Sequence, residues 1–169
     1  MGQLVTQQKA VIQLSLMAVM SALVAIGTMV VQIPNGMGGY FNVGDTLIFV
    51  AALIFNPFVS GVAGGLGSAL ADLPGYVVYA PATFVIKGLE GLLAGLITTK
   101  KSLLRDVIAV SVAGTEMVIG YFLFEVYLLG LGQAIAGIPY NVAQILVSAL
   151  IGIPLALILR RRLPEVLRA

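Results

Sequence analysis

The chain has 169 residues, 60% of them hydrophobic and 9% charged, with nine Lys or Arg against seven Asp or Glu and a net charge of +2. A soluble domain of this length covers itself with roughly a quarter charged residues, so these sixteen charges exclude a water-facing shell, and the mean hydropathy of +1.08 makes lipid the solvent. Cys, His and Trp are absent, which excludes disulfides, thiolate chemistry and the usual zinc or haem ligands; neither a metal nor a cofactor is expected.

Units of about 20 apolar residues span roughly 30 Å of hydrocarbon. The first predicted helix runs from about Gln8 to Val31 and, lacking a basic leader and a small-residue cleavage site, is expected to stay in the membrane. The Pro/Gly-rich stretch from Ile33 to Tyr40 cannot be helix. A short second helix is predicted from Gly44 to Phe55, ended by Asn56-Pro57, and a third from Phe58 to about Leu73. Pro74-Gly75 and Pro81 bracket the next loop. The fourth helix runs from Pro81, a favoured first helical position, to Ile97. The fifth is expected from about Asp106, a plausible N-cap, to Leu131, then a loop from Gly132 to Pro139, then a sixth helix from Pro139 to Leu159.

Merging the second and third helices would leave five spans, but Asn-Pro inside a helix costs about 3 kcal/mol or more. Charge placement agrees with six. Lys9, Lys100, Lys101, Arg105, Arg160, Arg161, Arg162 and Arg168 then share one side, and Lys/Arg-rich short loops stay in the cytoplasm. Five spans would divide these charges between the two sides. The expected fold is an all-α membrane protein: one compact bundle of six transmembrane helices over residues 1–169, both termini cytoplasmic. The outward loops Gln32 to Asp45 and Asp72 to Ala80, the latter carrying Tyr79, read either as a lid over a pocket or as tight connections.

A charge at the bilayer centre costs at least about 2.5 to 3.5 kcal/mol, so each is a functional hypothesis. Lys87 and Glu90 are three apart on the fourth helix and share a face. Lys87 and Glu125 lie at matching depths on antiparallel helices and could meet across the bundle. With Asp45, Tyr121, Tyr140, Asn141 and Gln144 they form a polar cluster in the outer half of the membrane. That cluster reads as a ligand pocket or as a buried ion network tying helices together. Glu116 is deeper and reads as a helix-to-helix hydrogen bond.

Small residues four apart permit close helix approach. Gly61, Gly64, Gly65, Gly67 and Ala71 line the third helix, and Gly88, Gly91 and Gly95 the fourth. Ala18, Ala22 and Ala25 on the first helix suit either internal packing or docking of another membrane protein. The run Gly64-Gly65-Leu66-Gly67-Ser68 lacks the lysine of a phosphate loop, and no nucleophile–base set exists, so no enzyme is expected. Uphill transport would draw its energy from a partner or an ion.

The stretches Phe41-Asn42-Val43-Gly44-Asp45, Asn56-Pro57, Gly61 through Asp72 and Tyr79 through Gly91 resemble those of the substrate-binding (S) component of an energy-coupling factor (ECF) transporter, most similar to the riboflavin branch. The resemblance covers nearly the whole chain and includes Ala18-xxx-Ala22. It implies a multi-pass protein of a prokaryotic cell membrane that binds a vitamin or precursor and docks on a transmembrane coupling (T) protein driven by two ATPase subunits. It implies Ala18 and Ala22, with Ala25 nearby, as the docking face, and Tyr40, Phe41 and Asn42 as lid. Lys87, Glu90, Tyr121, Glu125, Asn141 and Gln144 are the implied pocket, with Asp45 and Tyr79 beside them. Riboflavin, a pyridoxine-like ring, hydroxymethylpyrimidine and a deazapurine all fit this expectation. No nucleic acid is expected as a partner. The alternative is a stand-alone ion-coupled carrier or channel using Glu116 and Glu90, which would need a polar path through inner helix halves that are almost wholly apolar.

Overall fold

In hydrocarbon a backbone N–H or C=O has no water to bond, so a lipid-embedded chain must satisfy these groups itself, and helices do so within one segment. The computed structural model describes residues 2–36, 38–98 and 102–163, with side chains from residue 7 onward. Among the described residues there are six helices: α1 (Gly2–Val30), α2 (Gly44–Ile54), α3 (Pro57–Asp72), α4 (Ala80–Ile97), α5 (Leu103–Leu129) and α6 (Leu131–Arg162). Between α1 and α2 lies a small antiparallel hairpin, β1 (Ile33–Pro34) and β2 (Tyr40–Phe41), with Ile33 opposite Phe41. Gly36 at φ +74° and Gly38 at φ +97° form its tip, where a side chain would strain the backbone.

Four segments are long and apolar enough to cross a membrane: Gln7–Val30, Ala80–Ile97, Leu103–Leu129 and Leu131–Arg162. Large apolar side chains such as Leu14, Val19, Phe58, Leu123 and Leu150 stand exposed on the outside of the bundle, where lipid would meet them. The 11-residue α2 is different. It packs on α1, α3, α4 and α6, and ten of its residues are buried. Its Phe49, Leu53 and Ile54 join Val110, Ala113 and Ala156 in one core cluster, while Ile48 and Ala51 join Met20, Val24, Val59 and Ala63 in another. Around α2 the chain packs α1 on α3, α3 on α4, α4 on α5 and α5 on α6.

The punctuation residues act as expected at α2 and α3. Asn56 caps α3, its side chain accepting from the Val59 N–H at 3.0 Å, with Pro57 in the first turn. The close seam between α3 and α4 depends on missing side chains. A Cβ on Gly64 would stand 2.3 Å from the Lys87 carbonyl oxygen, and one on Gly91 would stand 2.3 Å from that of Ser60. Lipid tails are as apolar as the helices, so such backbone contact replaces the hydrophobic drive of a soluble core.

Four boundaries differ from expectation by three residues or more: α1 starts at Gly2 rather than Gln8, α6 ends at Arg162 rather than Leu159, and the starts of α5 and α6 both move. Helix α5 starts at Leu103, because Ser102 is its cap, accepting from the Arg105 N–H. Asp106 therefore lies inside the helix and is free for a tertiary contact. The expected loop from Gly132 to Pro139 is helical: Gly130 alone, at φ +93°, turns the chain, and its N–H closes α5 on the Glu125 and Val126 carbonyls. Pro139 and Pro154 both lie within α6, as membrane helices tolerate when neighbours take up the freed backbone groups.

One end of the bundle is locked by a single side chain. Arg160 is buried and makes a bidentate pair with Asp106, at 2.6 and 2.8 Å. Its Nε also donates to the Leu53 carbonyl at 2.8 Å, and Asp106 accepts from the Thr98 hydroxyl at 2.7 Å. The clamp joins α2, α4, α5 and α6. Arg160 is thus a buried structural cation rather than a loop charge. Arg105, Arg161 and Arg162 are exposed at the same end, while Lys100, Lys101 and Arg168 lie outside the described residues.

Candidate functional site

The opposite end gathers the remaining buried charge. Lys87 Nζ, on α4, lies 2.6 Å from Asp45 Oδ1 on α2 and 3.0 Å from Glu90 Oε2. The i,i+3 spacing on α4 puts Lys87 and Glu90 on one face, as expected. The second Asp45 oxygen accepts from Gln144 Nε2 of α6 at 2.8 Å. Gln144 Oε1 in turn accepts from the Asn42 backbone N–H at 2.9 Å and its side-chain amide at 3.1 Å, and Asn42 Oδ1 caps the Gly44 N–H at 2.9 Å. A continuous chain of polar contacts therefore links α4, α2 and α6 to the residue that follows the hairpin.

The hairpin closes over this network. Tyr40 donates its phenol proton to Asp72 Oδ1 at the end of α3. Its ring lies 4.5 Å from that of Tyr76, and the aromatic series continues through Tyr79 to Phe124, with the last two rings 5.4 Å apart and edge-on. Burial, then the adjacent Asp72 charge, raises the pKa of the Tyr40 phenol, which keeps it a neutral donor. Burial, followed by the charges of Glu125 and Asp72, pushes Tyr79 up to about 12.

Beneath the hairpin lies a small cavity of about 30 Å³. All the expected site residues line it except Phe41, Asp45 and Glu90. Phe41 is half-buried on β2, whereas Asp45 and Glu90 are fully buried behind the Lys87 ammonium. Tyr140, read as part of the cluster, is 39% exposed and does not line the cavity. Tyr121 does line it, donating to the Thr83 hydroxyl at 3.1 Å, with Lys87 Nζ 5.6 Å from its ring centre.

Lys87 does not meet Glu125 across the bundle. Matching depth on two helices says nothing about azimuth, and Lys87 turns to Asp45 and Glu90. Glu125 instead occupies the gap left by Gly137 of α6, where a Cβ would stand 2.7 Å from its Oε2. That oxygen has no hydrogen-bond partner, nor have Asp72 Oδ2, Thr28 Oγ1 and the Tyr79 hydroxyl, all of which line the cavity. Deeper in the bundle, Glu116 Oε2 is also without one, so the hydrogen bond expected for it is not seen at that atom.

Sequence reasoning missed Asp72, Ser68 and Thr83 as cavity residues. In the sequence Asp72 stands at the edge of the loop that runs to Ala80. Spacing held the signal: Ser68 and Asp72, like Thr83 and Lys87, are four apart and share a helix face. On α1, Ala18 and Ala22 are exposed and Ala25 is half-buried, while Met20, Val24 and Thr28 turn inward.

The family of ECF-type riboflavin transporter S components matches residues 8–161. A Pyrococcus woesei protein described as "Uncharacterized protein in gap 3'region" is 39% identical over 148 residues, covering 85% of this chain and 99% of that protein. The thiamine precursor transporter HmpT of Lactococcus lactis subsp. cremoris (strain MG1363) is 32% identical over 143 residues, covering 83% of this chain and 82% of that protein. The chain belongs to the family of ECF-type riboflavin transporter S components, which are membrane transport proteins and not enzymes.

Proposed function

We propose that the chain is the membrane-embedded binding subunit for a small polar aromatic vitamin or vitamin precursor, held in the cavity beneath the β1–β2 hairpin. One observation carries the reading: the cavity is walled by tyrosines and lined by buried polar atoms that the protein leaves without partners. Buried polar groups are normally satisfied, so a site keeping several of them around one hollow is built for a polar guest. The two family relationships name different vitamins, riboflavin and a thiamine precursor, and both are flat heteroaromatic compounds.

In this reading all six helices cross the cytoplasmic membrane of a prokaryotic cell, with the Arg160 end inside and the hairpin outside. The T protein docks on the exposed Ala18 and Ala22 face, and two ATPase subunits drive delivery. A stand-alone carrier is the weaker reading. Its path would run through the apolar cluster around Phe49, Leu53 and Val110 and past the Arg160–Asp106 clamp.

Native mass spectrometry of the protein purified gently from its own membranes tests the function. A stoichiometric small aromatic ligand is expected, or co-purification with an ATPase-bearing complex; a protein that is both empty and uncomplexed would sink the proposal. Orientation is tested by single cysteines placed in this cysteine-free chain. Gly36→Cys should label from outside and Ser102→Cys only from inside.

A further inference from the structure

Hydrogen-bonding capacity in the cavity is lopsided. Several side-chain donors are already engaged within the protein: Lys87 by Asp45 and Glu90, the Gln144 amide by Asp45, the Asn42 amide by Gln144, the Tyr121 hydroxyl by Thr83, while the unpartnered hydroxyls of Thr28 and Tyr79 can either donate or accept. Tyr40 gives its proton to Asp72. Two carboxylate oxygens are left over, Glu125 Oε2 and Asp72 Oδ2, on side chains whose residues are only 5% and 1% exposed. Both line the same hollow.

Charge is lopsided in the same direction. Among the described residues Lys87 is the one cation lining the cavity, and it is already paired with two carboxylates behind it. Asp72 and Glu125 have no ion-pair partner there. A buried carboxylate oxygen without a donor is costly, and a cationic or N–H-rich guest removes that cost with charge-assisted hydrogen bonds. The tyrosine wall suits such a guest too, because ring faces attract cations. A flavin ring presents mainly carbonyl and imine acceptors along its edge, and the carboxylate oxygens of Glu125 and Asp72, being acceptors themselves, cannot bond them.

Granting the binding-subunit reading above, we infer that the ligand is a small aromatic amine, a ring carrying an amino group or protonated nitrogen, whose N–H groups bond Glu125 and Asp72 while its face lies against the tyrosines. Riboflavin is then not the preferred cargo.

The test is calorimetric titration of the full chain in lipid nanodiscs with matched compounds. One pair is pyridoxamine and pyridoxine; the second is aminated hydroxymethylpyrimidine and its analogue with oxygen in place of the amino group; riboflavin is the fifth compound. At least one amine should bind about 100-fold or more tightly than its oxygen partner, since a site built to pair a polar group rejects the analogue lacking it. Glu125→Gln and Asp72→Asn should each weaken that amine about tenfold or more while pyridoxine or the oxo analogue is little affected. The comparison on the unsubstituted chain stands even where a variant folds poorly. Tightest binding of riboflavin or an oxygen partner overturns the inference and leaves the binding-subunit function intact. If none of the five binds, the ligand recovered by mass spectrometry decides: an amine supports the inference and an amine-free ligand overturns it. An empty, uncomplexed protein removes the proposed function itself.

Discussion

The two ends of the bundle hold buried charge in opposite ways. At the Arg160 end, one guanidinium meets both Asp106 oxygens and the Leu53 carbonyl, and Thr98 adds a donor to Asp106. None of these clamp residues lines the cavity beneath the hairpin. At the Lys87 end, the ammonium and Gln144 satisfy Asp45, yet Glu90 Oε1, Asp72 Oδ2 and Glu125 Oε2 remain without hydrogen-bond partners, two of them facing a cavity. A satisfied network ties helices together; an unsatisfied one around space is prepared for something else. Burial of charge in a membrane is therefore not by itself a mark of function, and the count of unmet partners separates the two cases.

The largest expected effects come from removing the two cations. Lys87→Ala strands Asp45 and Glu90, and Arg160→Ala strands Asp106. Breaking a buried pair costs about 3–5 kcal/mol, and both variants should show it as lower thermal unfolding in detergent. They should part on ligand affinity. The folded fraction of Arg160→Ala keeps it, whereas Lys87→Ala loses at least tenfold, and equal affinity losses would erase the distinction between the ends.

Tyr40→Phe comes next. It removes the hairpin's phenol from Asp72 and leaves that carboxylate without its hydroxyl donor, a loss of about 1–3 kcal/mol. Ligand dissociation should quicken more than association slows, because the hairpin is what closes the site. Unchanged dissociation would mean that the hairpin is a connection and not a lid. The smallest effect is spectroscopic. Tyr79 titrates at about 12, against 10.0 for an unburied phenol. The unfolded chain then loses its proton first, so this contribution to stability is complete below pH 10 and falls as pH rises toward 12. Glu125→Gln should lower the Tyr79 midpoint in an ultraviolet titration, since the Glu125 charge helps raise it.

Helix existence and many boundaries were legible in the sequence because apolar runs of this length satisfy their backbone in lipid as helices and because Asn56-Pro57, Gly36 and Gly38 are strong local punctuation. The misses have local causes. Ser102 displaced Asp106 as the cap of α5, being the residue with extended backbone just before the first turn. One glycine, Gly130, makes the turn expected of an eight-residue loop, so Gly137 lies in a helix and leaves room for Glu125 instead.

By itself the sequence determined the lipid environment, the six helical segments, the absence of cysteine and histidine chemistry, and the membership of Lys87, Glu125, Asn141 and Gln144 in one polar level. Composition and spacing carry that information because hydropathy and helical rise are local properties. Only the tertiary structure decided which charges pair, that Asp106 belongs to Arg160 and Asp45 to Lys87, and that Asp72 and Glu125 are left facing a cavity. Those outcomes depend on how each helix is rotated about its axis, and rotation is set by packing against neighbours, which no single segment encodes.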